Sequence, residues 1–296
     1  MGLRDKTLGF IGLGSMGGGI AVNLVKAGYD VVGHDLRPEA VQRFVEHGGK
    51  AGGSAEALVD TYEYVLTCVE GKDAIRLADE VLLPRARAGQ TFIDHSTVPA
   101  PQTRRIGAAF IAKGCRYLDA SISGGTVNAW AGRLRLFVSG DKATAEECWP
   151  LFEAAGNPEK VVYCGEHIGD GQVAKVVQQL TVRWPDVARM EVMAFGLRGG
   201  IDLETVMRAL DVDPTSNDPY AQLYRAIKAG KTDDLSALFS EWAYFLEEAE
   251  DKGFRVPMLE AMYEFMKDAP LVSKDPLGRP MPSIWNELMK AKREQE

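Results

Sequence analysis

Three glycines near the N-terminus have the spacing of a phosphate-binding turn. Gly12, Gly14 and Gly17 form GxGxxG between an apolar run, Leu8–Ile11, and residues at helical spacing. In this pattern the first glycine permits a tight turn, the second admits a pyrophosphate to the backbone, and the third lets the helix pack on its strand. The N–H groups of the first helical turn can then bind phosphate. The sequence therefore predicts dinucleotide binding by Gly12, Leu13, Gly14, Ser15, Met16 and Gly17.

An acidic residue follows the next predicted strand at the distance expected for ribose binding. Asp35 lies about twenty residues after Gly17, where a carboxylate commonly hydrogen-bonds the 2′-hydroxyl of the adenosine ribose. Its negative charge would repel a 2′-phosphate, which favours NAD as cofactor. Arg37 can instead accommodate that phosphate, so NADP stays possible.

A second glycine cluster, Ser123-Gly124-Gly125, lies where a predicted strand is followed by a helical turn. The backbone N–H groups of such a junction form a nest that suits a carboxylate or a sulfonate. The same tripeptide also occurs as an ordinary loop. As a binding site, it would hold a small anionic substrate.

Lys175 is the candidate general acid–base. Its chain neighbours, including Val173 and Val177, are apolar, and Gln178 and Gln179 follow at i+3 and i+4 on the same helix face. A lysine in partly apolar surroundings has a lowered pKa, as a general acid–base near neutral pH requires. A solvated lysine beside two surface amides is the alternative interpretation.

Two kinds of pattern divide the chain and predict an α/β protein with an α-helical C-terminal part. Residues 1–165 alternate short apolar runs with helical stretches, which is typical of a doubly wound parallel sheet and predicts a dinucleotide-binding Rossmann domain. Residues 166–296 keep only helical periodicity, including a long helix over Val173–Gly199 and another over Leu235–Asp251, which predicts an all-α substrate and oligomerisation domain. Strands are predicted at Thr7–Ile11, Tyr29–Gly33, Tyr64–Cys68, Thr91–Asp94, Arg116–Leu118, Arg135–Val138 and Lys160–Tyr163.

Composition argues against several classes of partner and site. The 296 residues carry a formal net charge of −8, whereas nucleic acid and anionic membranes require a basic face. The four cysteines include no CxxC pair, which favours reduced thiols in a cytoplasmic protein and no metal site. No apolar run approaches the length of a membrane span, and the N-terminus lacks the apolar core of a secretion signal.

Together the motifs resemble those of the β-hydroxyacid dehydrogenase family, which includes 3-hydroxyisobutyrate dehydrogenases. The resemblance runs from Thr7 to about Pro257. FIGLGSMGGGIAVNLVKAG is similar to the family's cofactor signature, and DASISGGTVNAWAGRL is similar to its substrate signature. GDGQVAK is similar to the segment that carries the family's catalytic lysine, which implies that role for Lys175.

The resemblance also implies further roles and an activity. It assigns substrate binding to Ser123, Gly124, Gly125 and Gln179. It assigns cofactor contacts near the nicotinamide to Ser96, Thr97 and Ser240. The implied reaction is the NAD(P)-dependent interconversion of a small 3-hydroxy acid and its semialdehyde or keto form. Separately, the apolar character of Val173–Gly199 and the helical C-terminal half predict a homodimer or homotetramer.

The chain departs from the family pattern at three places. Gln178 and Gln179 replace the usual Asn-Asn after the lysine, Ser240-Glu241 replaces a common Lys-Asp, and Ser121 replaces a usual proline. We expect the core chemistry to survive these changes, whereas the substrate of any one family member does not transfer.

Two other functions remain open from the sequence. Imine reductases share the two-domain plan, but they generally lack the lysine found at position 175. A dinucleotide-binding sensor or scaffold with little turnover is the second alternative, because a fold alone does not establish catalysis.

Overall fold

Short apolar runs form the strands of a twisted sheet in the first part of the chain. The computed structural model describes residues 3–236, 241–274 and 280–290. Within these residues the sheet has eight strands, in the spatial order β3-β2-β1-β4-β5-β6-β7-β8. They are β1 Thr7–Ile11, β2 Asp30–His34, β3 Lys50–Ala51, β4 Tyr64–Thr67, β5 Thr91–Asp94, β6 Arg116–Ser123, β7 Arg135–Gly140 and β8 Val161–Gly165.

The predicted doubly wound α/β sheet is confirmed, with a difference in strand direction. Strands β1 to β6 pair in parallel, but β7 runs antiparallel to β6 and parallel to β8. The antiparallel β6–β7 pair was not predicted, because apolar periodicity carries no information on strand direction. Strand β6 is also longer than predicted and continues to Ser123, the first residue of the second glycine cluster.

Helices cover both faces of the sheet and bury its apolar side chains. One buried cluster contains Phe10 and Ile20 with Phe152, and the other contains Phe92 with Phe110. Burying side chains of this size stabilises the fold by about 2 kcal/mol each. The helices are α1 Gly17–Lys26, α2 Pro38–Glu46, α3 Ala55–Thr61, α4 Gly71–Leu77, α5 Leu83–Arg85, α6 Ala100–Ala112, α7 Gly125–Trp130 and α8 Lys142–Ala155.

The chain separates into two compact units, Met1–Val176 and Val177–Glu296. Helix α9, Asp170–Arg198, begins in the first unit and ends in the second. The further helices of the second unit are α10 Leu203–Ala209, α11 Pro219–Lys228, α12 Trp242–Lys252, α13 Pro257–Met266 and α14 Ile284–Met289.

The second unit is largely helical, as predicted, but two details differ. Strands β9 Leu271–Lys274 and β10 Pro280–Pro282 form an antiparallel ribbon, so the description as all-α is incomplete. Helix α12 begins at Trp242 rather than at Leu235, where the backbone is not helical. Among the described residues, no helix combines the length and apolar character needed to cross a membrane.

Candidate active site

The GxGxxG turn joins β1 to α1 in a conformation that only glycine accommodates at two positions. Gly12 has φ +96°, and a Cβ atom there would overlap the carbonyl oxygen of Cys68. A Cβ atom on Gly17 would overlap Gly12 O. The turn is closed by a hydrogen bond from Gly12 N to His34 O at 2.9 Å. The backbone at Gly14 is less enclosed, and a Cβ atom there would meet only Arg37 Nη2, at 3.0 Å.

Helix α1 begins at Gly17, so Ser15 and Met16 belong to the turn. Met16 occupies the N-cap position but provides no side-chain hydrogen bond to the helix. The carbonyl of Ser15 accepts a hydrogen bond from Trp130 Nε1 at 3.0 Å. The turn is therefore fixed by the helix after the second glycine cluster rather than by a local cap.

Asp35 lies just after β2, where the sequence placed it, and its carboxylate is already engaged. Oδ2 accepts from Leu13 N at 2.8 Å, and Oδ1 accepts from the Arg37 backbone N–H at 2.9 Å and from Arg37 Nε at 3.1 Å. Partial burial opposes ionisation, but the hydrogen bonds and charge of Arg37 outweigh it and lower the pKa of Asp35. Arg37 therefore partly neutralises the carboxylate predicted to meet the adenosine ribose.

Lys175 is buried, not solvated. Its side chain is 4% exposed, and Nζ donates a hydrogen bond to Thr97 Oγ1. Its charge also acts on the Cys68 thiol: burial and Asp94 raise the pKa of Cys68 to about 12, while Lys175 opposes that shift. The Cys68 Cβ lies 3.0 Å from where a Cβ on Gly17 would stand. The structure thus brings Lys175, the predicted Thr97 and the glycine turn into one region of the first unit.

The loop after β5 carries Ser96 and Thr97 and is held at its start by hydrogen bonds to Asp94 and Ser96. Asp94 accepts hydrogen bonds from Thr67 Oγ1 at 2.8 Å and from Ser96 N at 2.9 Å. Ser96 Oγ accepts from Val69 N at 3.1 Å. The loop that presents a hydroxyl to Lys175 is therefore a fixed support.

A buried network around Asp119 binds the first turn of α9 to the sheet. Asp119 Oδ2 accepts from Gln172 N at 3.0 Å and from Ser139 Oγ at 3.1 Å, and Oδ1 accepts from Gln172 Nε2 at 3.0 Å. Gln172 Nε2 also donates to Ser96 O at 2.9 Å, and Gly171 N donates to Ser139 Oγ at 3.1 Å. Burial and the nearby Asp94 charge raise the pKa of Asp119 to about 7, against the lowering effect of these hydrogen bonds. The residue before Gln172 must be glycine, since a Cβ there would stand 2.7 Å from Asp119 Oδ2.

The second glycine cluster has the predicted strand–turn–helix geometry. Ser123 ends β6, while Gly124 and Gly125 have φ +144° and +75°, which favour glycine. Asn128 Nδ2 donates to Gly124 O at 2.7 Å and stabilises the turn. The N–H groups at the start of α7 have no preceding helical carbonyl to bind.

Two of the predicted site residues come after Val176, the last residue of the first unit. Gln179 is 8% exposed, and its Nε2 donates to Glu241 Oε2 at 2.7 Å, while its Oε1 is buried without a hydrogen bond. Glu241 is 5% exposed. Ser240 lies outside the described residues.

The contacts between helices α1 and α7 were not predicted from the sequence. Asn23 Nδ2 donates to Ala129 O at 2.7 Å, and Cβ atoms on Gly18 and Gly19 would contact or overlap Trp130 and Ala129. Trp130 packs against the core, and its ring nitrogen also donates to the carbonyl oxygen of Ser15 in the GxGxxG turn. The run of three glycines from Gly17 was the available signal, because a helix that carries three glycines has close neighbours.

Comparisons with known proteins agree with this architecture. A family model described as the NAD binding domain of 6-phosphogluconate dehydrogenase matches residues 7–169, more than half of the chain. A 3-hydroxyisobutyrate dehydrogenase and an NAD-dependent L-serine dehydrogenase, both from Pseudomonas aeruginosa, are 34% and 35% identical over 66% and 68% of this chain. The aligned regions span 65% and 67% of those relatives, about two thirds of each. The chain belongs to the β-hydroxyacid dehydrogenase family.

A solved structure extends the similarity of this dehydrogenase over both units. The 3-hydroxyisobutyrate dehydrogenase of Mycobacterium tuberculosis, solved with L-serine, has a TM-score of 0.72 at 25% identity. It covers 88% of this chain and 92% of its own. The prediction of an NAD(P)-dependent hydroxyacid dehydrogenase with a Rossmann domain is confirmed at the level of the family.

Proposed function

We propose that this dehydrogenase interconverts a small 3-hydroxy acid and its semialdehyde or keto form, with Lys175 as the general acid–base. The supporting observation is that Lys175 is buried and bound to Thr97 in the same unit as the glycine-rich turn. Burying an ammonium group costs free energy, which supports a chemical role for this lysine.

The residues of the turn fit a dinucleotide. Gly12 and Gly17 fix a tight backbone, and Gly14 leaves room for a pyrophosphate to approach the N–H groups at the start of α1. Asp35 and Arg37 would meet the adenosine ribose. When bound, the nicotinamide supplies the hydride acceptor in oxidation and the hydride donor in reduction.

Lys175 would move the proton that accompanies the redox step. In oxidation its neutral amine takes the proton from the substrate hydroxyl, and in reduction its ammonium returns a proton to the new alkoxide. The ammonium form also stabilises negative charge on that oxygen, a contribution of about 3 kcal/mol in comparable sites. Thr97 Oγ1 holds Nζ in place by accepting its hydrogen bond.

The acid group of the substrate would be bound at the Ser123-Gly124-Gly125 turn. Its glycine conformations and helix-start N–H groups suit a carboxylate. Gln179 remains a proposed substrate-binding residue. Its Nε2 atom already donates a hydrogen bond to Glu241. The relatives act, by their names, on 3-hydroxyisobutyrate, L-serine and L-threonate, which are all small hydroxy acids.

A substrate screen tests the proposed function. We expect NAD(P)H formation with at least one hydroxy acid of three to five carbons, from a panel containing 3-hydroxyisobutyrate, L-serine, L-threonate and sulfonated analogues. Cyclic imines with NADPH form the second panel. Turnover of imines alone would favour an imine reductase, and tight NADH binding without turnover on either panel would favour a sensor or scaffold.

Cofactor preference gives a second prediction. We propose that NAD is preferred, with NADP tolerated because Arg37 partly neutralises Asp35. Replacing Arg37 with alanine should raise the ratio of kcat/KM for NAD over NADP by about tenfold, the value of one charge-assisted hydrogen bond. Asp35→Ala should lower the same ratio. An unchanged ratio in Arg37→Ala would mean that Arg37 only positions Asp35 and has no role in accommodating NADP.

We further propose that the protein is a homodimer or homotetramer. The second unit exposes several large apolar side chains, including Phe195 at 82% and Val177 at 63% on α9 and Met258 at 61% on α13. Exposed apolar side chains of this kind are typical of protein interfaces.

A further inference from the structure

The first turn of α9 is bound to the sheet by buried side chains, and Lys175 lies one helical turn beyond it. The carboxamide of Gln172 donates both to Asp119 Oδ1 at 3.0 Å and to Ser96 O at 2.9 Å. Residue 97, next to Ser96, accepts the hydrogen bond of Lys175. Gln172 thus connects the helix that carries Lys175 to the loop that receives its side chain.

The network of Asp119, Gln172 and Ser139 lies in the interior of the first unit. Asp119 and Ser139 are fully buried, and Gln172 is 3% exposed. A carboxylate in such a place opposes folding unless several donors compensate for its lost hydration. Asp119 has three such donors: the Gln172 backbone, the Gln172 side chain and the Ser139 hydroxyl. These three hydrogen bonds prevent the first turn of α9 from sliding along the helix axis and from rotating about it.

We propose that Asp119 and Gln172 are positioning residues that hold Lys175 for proton transfer. Their effect is geometric, because Gln172 and Lys175 are three residues apart and therefore lie on the same side of α9. The hydrogen bonds from Gln172 to Asp119 fix helix α9, and the hydrogen bond from Gln172 to Ser96 O fixes the Ser96–Thr97 loop. The Lys175 amine is confined between this helix and this loop. The proposal rests on the proposed role of Lys175, since a positioning residue needs a reaction to serve.

The test replaces Gln172 with leucine, which keeps the approximate volume but removes the bridging amide. With 3-hydroxyisobutyrate or L-serine and NAD as probes, we expect kcat to fall by at least about tenfold, since small displacements of a catalytic group are costly. The KM for NAD should change by less than about twofold, because the phosphate turn keeps its own contacts.

A second readout does not depend on turnover. Trace acetylation of the full chain with acetic anhydride, followed by peptide mass spectrometry, measures how accessible each lysine amine is. Labelling of Lys175 should rise at least about fivefold in Gln172→Leu, because a buried amine reacts only when its segment opens. Labelling of Lys26 and Lys113, both exposed, should stay constant as an internal reference.

Gln90 provides a matched control for a purely structural effect. It is 4% exposed in the same unit, and its amide nitrogen donates to Val59 O at 2.7 Å and to Tyr62 O at 2.8 Å. Gln90→Leu should lower the thermal unfolding midpoint much as Gln172→Leu does, yet leave kcat and Lys175 labelling near the wild-type values.

The outcomes separate the two proposals. If Gln172→Leu and Gln90→Leu have the same effect on kcat and on Lys175 labelling, the positioning role is overturned. If the wild-type enzyme oxidises no member of the hydroxy-acid panel, the proposed function fails, and labelling alone still decides whether Gln172 confines Lys175. Should Gln172→Leu fail to fold, Ser139→Ala is the milder test, since it removes only the hydroxyl that donates to Asp119 Oδ2 and accepts from Gly171 N. In that variant, unchanged Lys175 labelling would contradict the proposal.

Discussion

Lys175→Ala is expected to lower kcat by at least about a hundredfold, the usual contribution of a general acid–base. The loss should leave NADH affinity close to the wild-type value, because we propose that the GxGxxG turn and Asp35, rather than Lys175, hold the phosphates and ribose. Steady-state kinetics in both directions, with NADH affinity measured by fluorescence titration, provide the comparison. Lys26→Ala, a change at an exposed lysine in the last turn of α1, is the control and should retain full turnover.

A second substitution at the same position separates proton transfer from charge. Arginine keeps a cation but stays protonated at every accessible pH, so it cannot act as a base. Lys175→Arg should therefore be nearly as impaired as Lys175→Ala in oxidation of the hydroxy acid. Substantial activity in the arginine variant would mean that the cation alone supports catalysis, and turnover near the wild-type value in the alanine variant would remove Lys175 from the mechanism.

Asp119→Asn should change how stability depends on pH. Burial, together with the Asp94 charge, raises the pKa of Asp119 from 3.8 to about 7 in the folded protein. The folded state therefore binds more protons than the unfolded state between these values, and Asp119 contributes less stability as the pH rises. The full loss corresponds to about 4 kcal/mol, since one pKa unit is about 1.4 kcal/mol. The asparagine variant has no proton to lose and should lack this dependence.

Urea unfolding of both proteins across a pH series measures the effect. The free energy of unfolding of the wild type, minus that of Asp119→Asn, should fall by about 2 kcal/mol between about pH 5.5 and about pH 8.5. Asp141→Asn is the control, because its carboxyl caps α8 and hydrogen bonds from Thr144 lower its pKa. Asp141 is ionised throughout that range, so its difference should stay constant. A constant difference for Asp119 as well would show that its pKa is not raised.

Local patterns predicted the parts of the fold that local physics determines. The β1 strand was placed at its observed bounds, and β2 within one residue, because each is a short apolar run followed by a glycine or an acid. The glycine turn and Asp35 followed from the same reasoning. Strand β3, Lys50–Ala51, was missed because both residues are exposed and polar or small, without the apolar signal of a buried strand.

Tertiary contacts account for what the sequence could not predict about the candidate site. Lys175, judged locally, had a solvated alternative, and only its burial beside Thr97 excludes it. Asp119 and Gln172 were visible as members of family-like motifs, but their pairing joins a strand to a distant helix. The spacing of apolar residues along the chain carries no information about which distant side chains form a hydrogen-bonded pair. The antiparallel β7 escaped prediction for the same reason.

The close contact between α1 and α7 limits how this enzyme can diversify. Gly18 and Gly19 admit the backbone of Ala129 and Trp130 with no space for even a methyl group at Gly19. The Ser123-Gly124-Gly125 turn leads directly into helix α7, and Trp130 of α7 donates a hydrogen bond to Ser15 of the GxGxxG turn. A shift of the main chain at the first turn would therefore disturb the second. New substrate preferences in such a scaffold are therefore expected to arise by exchanging side chains, because moving this main chain would also move the GxGxxG turn that we propose binds the coenzyme.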